Sequence, residues 1–151
     1  NLIISARQSV SYTELRRQLI AQVRAQGRPF GLVFDDITGG FTFTGRVTPN
    51  AFNVQPVSVW KVFPDGRPDE LVRGVDLIGT PLTTFERILA ASDQVDVFNG
   101  SCGAESGWVP VAAVAPDLLV AEVEVQRKEK AHDRPPLLPP PLPATTKAEV
   151  R

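Results

Sequence analysis

The sequence has one cysteine, one histidine, one tyrosine and no methionine. A single thiol, Cys102, excludes an internal disulfide and any cysteine-rich structural zinc site, and it fits a reducing cytoplasm better than an oxidising exterior. A single imidazole, His132, leaves a catalytic metal site or nucleophilic pair almost nothing to be built from, because it stands at the edge of a proline-rich stretch, far along the chain from Cys102. Excess charge is missing as well. Sixteen Lys and Arg against 17 Asp and Glu give a formal net charge of -1, so no electrostatic pull toward a polyanion exists and nucleic-acid binding has no compositional support. No apolar run approaches the length that crosses a bilayer, and a membrane role is set aside. The first residues, Asn1 to Ser5, carry neither an initiator Met nor a basic leader. Their β-branched stretch reads as a strand whose neighbours are expected in preceding sequence, as in a segment of a longer polypeptide.

What is present has the size and composition of one globular domain: 151 residues, 42% hydrophobic and 22% charged. Ser11-Tyr12-Thr13-Glu14 has the Ser-x-x-Glu form of a capping box, and Tyr12, Leu15, Leu19 and Val23 follow at helical spacing until Gly27 and Pro29. This predicts an amphipathic helix over Tyr12 to Gln26. Leu32 to Phe34 and Phe41 to Thr44 read as strands interrupted by Gly39-Gly40, taken as a chain reversal. Val57 to Phe63, a Pro64-Asp65-Gly66 turn and Leu71 to Ile78 read as a hairpin. Thr80-Pro81 opens a second helix whose apolar stripe, Leu82, Phe85, Ile88 and Leu89, runs through Ala91. A short strand at Val95 to Phe98, a loop at Asn99 to Gly103, and strands at Trp108 to Val114 and Leu118 to Val125 complete a strand-rich α+β domain with two packed helices. The folded part is expected to span residues 1-128, followed by a disordered proline-rich tail over 129-151.

Cys102 is the residue whose setting invites chemistry. Gly100 and Gly103 leave its sulfur and backbone open, so it is either a metal-ligand thiolate or an inert thiol in a tight glycine turn. Asp35 and Asp36 follow a strand, but neighbours on a strand point to opposite faces, which argues against a paired acid-base or hard-cation site and for turn chemistry. Gly39-Gly40 lacks the lysine and the onward helix of a phosphate-binding loop.

Taken in order, Arg73-Gly74, Leu77-Ile78-Gly79, the helix after them, the glycine-flanked Cys102 and Trp108-Val109-Pro110-Val111 resemble the closing segment of the TldD/PmbA metallopeptidases, the modulator of DNA gyrase family. The resemblance extends from about Phe30 to Val125. It implies a cytoplasmic zinc-dependent peptidase that hydrolyses unfolded or short peptides. In such subunits zinc is held by two histidines of an HExxxH helix, whose Glu serves as general base, and by a cysteine of the C-terminal region; Cys102 stands at that cysteine's position. No HExxxH occurs between Asn1 and Arg151, so the resemblance implies a C-terminal part that supplies one metal ligand and is inactive alone. The alternative is a PmbA-like partner, which lacks the zinc ligands and shapes the cleft of an active subunit. Either way the expected partners are a peptide substrate and a second family member in a homo- or heterodimer, with no nucleic acid and no membrane. The Pro136 to Pro139 P-x-x-P stretch reads as a linker or chain end before it reads as a ligand for an aromatic groove.

Overall fold

A hydroxyl at Ser11 and a carboxylate at Glu14 decide where the first helix starts. In the computed structural model, which describes residues 1–45, 47, 49–104 and 107–128, Ser11 is extended and its Oγ accepts from the Glu14 N–H at 3.2 Å, opening helix α1 over Tyr12–Ala25. Only half of the capping box forms. The Glu14 carboxylate turns along the helix instead, accepting from the Arg17 guanidinium at 2.6 and 2.7 Å and from Gln18 Nε2 at 3.0 Å. These charge-assisted bonds hold its carboxyl down to about 2 from an ordinary 4.5, the Arg17 bond contributing most and the Gln18 bond next. Leu15 and Val23, two turns apart on one helix face, are buried.

The remaining elements are strands β1 (Leu2–Ile3), β2 (Gly31–Phe43), β3 (Ala51–Val62), β4 (Glu70–Val72) and β5 (Val75–Gly79), helix α2 (Pro81–Glu86), and strands β6 (Ile88–Ala104), β7 (Gly107–Val120) and β8 (Glu124–Arg127). They form two sheets, one ordered β1-β7-β6 and the other β2-β3-β5-β8 with β4 also paired to β3. The molecule is α+β and strand-rich. Residue 129 onward, with His132 and the prolines, lies outside the described residues. No helix among the described residues is long and apolar enough to cross a membrane.

Gly39-Gly40 does not reverse the chain: β2 runs through it, with a register shift between Ile37 and Gly39, just after Asp36, which takes a positive φ of 54°. The pairing continues to Phe43↔Ala51, and Phe41 and Phe43 meet edge to face at 5.1 Å. Gly40 is needed for close approach rather than for a turn, because a Cβ there would strike the carbonyl oxygen of Asn53 on the facing strand, whereas Gly39 faces open space. The expected hairpin is present. β4 and β5 both pair with β3 and keep one common register, from Lys61↔Glu70 to Phe52↔Gly79, across an interruption at Arg73-Gly74 where Gly74 has a φ of 71°. At the Pro64-Asp65-Gly66 turn Asp65 Oδ1 accepts from the Arg67 N–H at 3.2 Å, and the Arg67 guanidinium covers the Phe63 ring at 3.6 Å.

Two expectations change in the second half. Helix α2 ends at Glu86, the Thr80 side chain makes no cap bond, and Leu82 and Phe85 remain exposed. Ile88, Leu89 and Ala91, read as the end of that helix, open β6 instead, where Ile88 pairs with Val120 and Ala91 with Leu118. Cross-strand pairing with a long apolar partner outweighs a helical stripe of so few residues. The stretch from Leu118 to Val125 is likewise not one strand. β7 ends at Val120, and β8 pairs with β5 in the other sheet, so the chain crosses between sheets at Ala121–Val123.

Helix α1 lies against β2, β6 and β7, touching both sheets. The buried apolar core draws on each: Leu15 and Val23 from α1, Val59, Val62 and Phe63 from β3 and its end, Ala91 from β6 and Leu119 from β7. Polar ties fix the helix at its margins. Arg16 forms a two-pronged pair with Asp69 at 2.6 and 2.8 Å, Arg24 donates to the Pro64 carbonyl, and Gln26 Nε2 donates to the Ala121 carbonyl at 3.0 Å.

Two outcomes follow for stability. Gly40→Ala is expected to cost about 1–3 kcal/mol in a denaturation experiment, as backbone overpacking does, while Gly39→Ala stays within about 0.5 kcal/mol. Glu14, with its lowered folded value, stabilises the fold above pH 4.5 and loses that contribution as pH falls toward about 2. The denaturation midpoint of Glu14→Gln should therefore lie below that of the unsubstituted protein near neutrality, and the gap should close across that acid window.

Candidate functional site

The chain's one free thiol is exposed, and the long hairpin of β6 and β7 decides how it is presented. In the outer half of the hairpin Phe98 pairs with Ala113, Gly100 with Val111, Cys102 with Val109 and Gly103 with Trp108. The expected loop at Asn99 to Gly103 is therefore a strand, and this corrects the reading of Cys102 as part of a glycine turn. Alternation along a strand puts Phe98, Gly100 and Cys102 on one face, with Ser101, Gly103 and the facing Trp108 on the other.

The two glycines have a different purpose from hinging a loop. A Cβ on Gly100 would come within 2.8 Å of the Phe98 ring, and one on Gly103 within 2.9 Å of the six-membered ring of Trp108. Each glycine thus makes room for an aromatic ring lying across the backbone, which covers peptide groups that a bare glycine would leave to water. Gly100 and its ring share the face of Cys102; Gly103 and its ring occupy the reverse face. Phe98 is 37% exposed and Trp108 78% exposed, so both rings lie at the surface. Val109, directly opposite Cys102, is exposed too.

The inner half of the hairpin is anchored differently. Between Ala91 and Val95 the register of β6 shifts against β7, and Ser92 is buried in the shift. Ser92 Oγ accepts from the Asp117 N–H at 3.0 Å and lies 2.9 Å from both Gln94 O and Asp117 Oδ2, so its single proton has a partner. Val10 adds a bridge to the same place: its N–H donates to Ala91 O at 3.0 Å, and its carbonyl accepts from Asp93 N–H at 2.8 Å. This polar knot ties the hairpin to the segment that leads into α1.

Asp35 and Asp36 have separate hydrogen-bond partners. Asp36 Oδ1 accepts from the next residue's N–H at 2.7 Å, while Ser58 Oγ lies 3.3 Å from the Asp35 carbonyl oxygen and 3.5 Å from its Oδ2. The setting is a strand irregularity rather than a turn. Asp35 does line a cavity of about 440 Å³ beside α1, together with Arg16, Trp60, Asp69, Asp96 and Asp117. Those carboxylates come from separate parts of the chain, and no spacing in the sequence signals their gathering. A more apolar cavity of about 320 Å³ lies under α1 between Leu15, Leu19, Phe34 and Leu118. Cys102 lines neither of them.

Among the described residues no three His, Cys, Asp or Glu side chains come together as a metal site requires. His132, the one imidazole, lies outside the described residues. No family model matches the sequence, and no curated protein matches it.

The accessibility of the sulfur has a direct readout. In the native protein Cys102 should react with a disulfide reagent within about tenfold of its rate in denaturant, as an exposed thiol does. Reaction only after unfolding would place the sulfur in the interior and remove it as a ligand.

Proposed function

We propose that this chain is the C-terminal part of a cytoplasmic zinc-dependent metallopeptidase similar to the TldD/PmbA family, acting on unfolded or short peptides, with Cys102 as the metal ligand it contributes. The observation that carries the reading is the exposed Cys102 side chain on a paired strand whose register is set along the whole hairpin. A ligand needs a fixed direction as well as access, and a strand in a ladder supplies it better than a loop. A thiolate is a good zinc ligand, and with two imidazoles it leaves a fourth position open. The resemblance assigns those imidazoles, and the glutamate between them, to an HExxxH helix elsewhere in the parent protein. When bound, zinc supplies a Lewis acid and an activated water.

The part played by this chain's own residues is to bind and to orient. Cys102 binds. Val109 stands opposite it in the ladder and Phe98 lies on the same face, so its neighbours there are apolar. The long pairing of β6 with β7, secured at its base by Ser92 and Asp117, keeps that face directed one way.

A second reading rests on the apolar character of the same hairpin. Val95, Val97, Trp108 and Val109 are exposed, a surface suited to contact with another protein body. A PmbA-like partner subunit that shapes the cleft of an active peptidase in a homo- or heterodimer would use such a surface without holding metal.

Metal analysis of the full-length parent separates the two. Under the peptidase reading it carries zinc, and Cys102→Ser lowers zinc affinity and peptide hydrolysis by at least about 100-fold, beyond the 10–100-fold cost of losing an outer-shell contact. A parent without zinc supports the partner reading. A parent that keeps its zinc after the substitution removes Cys102 from the site.

A further inference from the structure

We draw no further inference here: the strongest candidate, the outer half of the β6–β7 hairpin with Val97, Trp108 and Val109 exposed, is an unpartnered apolar surface, and nothing in the structure shows what covers it.

Discussion

Antiparallel pairing of β6 with β7 is the constraint on which the other features of this chain depend. It runs from Ile88↔Val120 to Ala104↔Gly107, carries β1 on its outer edge through Leu2↔Ala113, and gives α1 one of the surfaces it packs on. A strand has a side-chain period of two, so sliding β6 by one residue would move every outer side chain to the opposite face. Cys102 and Phe98 would then move together to the face of Trp108. The irregularity at Ser92 ties the phase: its buried hydroxyl accepts from the Asp117 N–H and meets the Asp117 carboxylate, contacts across the pairing that add to its local one with Gln94 O. A hydrogen bond of this kind contributes about 0.5–1.5 kcal/mol net, which weighs against the slipped pairing.

Glycine has different uses within this one fold. At Gly66 and Gly74 it supplies a positive φ, the use that sequence reading assigns to glycine by default. At Gly40, Gly100 and Gly103 it supplies the absence of a side chain, admitting a facing backbone in the first case and an aromatic ring in the other two. A glycine-hinged loop would leave the backbone at Cys102 free to turn, whereas the paired strand sets the face on which its side chain stands.

The two sheets are joined by side chains as much as by backbone. Helix α1 places Leu15 and Val23 in the core, while Arg16, Arg24 and Gln26 reach out to Asp69, Pro64 and Ala121. Of these ties only Arg16–Asp69 is an ion pair, and an exposed pair contributes on the order of 0–1 kcal/mol. Their value is in direction, since each fixes a helix already held by apolar burial. Beyond α1 the apolar surface is incompletely covered: Leu82 and Phe85 on α2 and Trp108 on the hairpin are all exposed.

The sequence by itself determined the α+β class, helix α1 with its Ser11 start and the Pro64-Asp65-Gly66 turn. In each case the cause is local: a cap, a period or a turn residue acts within a few positions. Tertiary structure alone decided that Gly39-Gly40 and Asn99 to Gly103 are strand, that Ile88 belongs to β6 rather than to α2, and that β8 crosses to the other sheet. Those outcomes depend on which strand lies opposite, and a hydrogen-bonded partner at long sequence separation overrides the preference of a glycine or a short apolar stripe. The gathering of Asp35, Asp69, Asp96 and Asp117 around one cavity has the same origin. Their nearness is created by pairing and packing between distant segments.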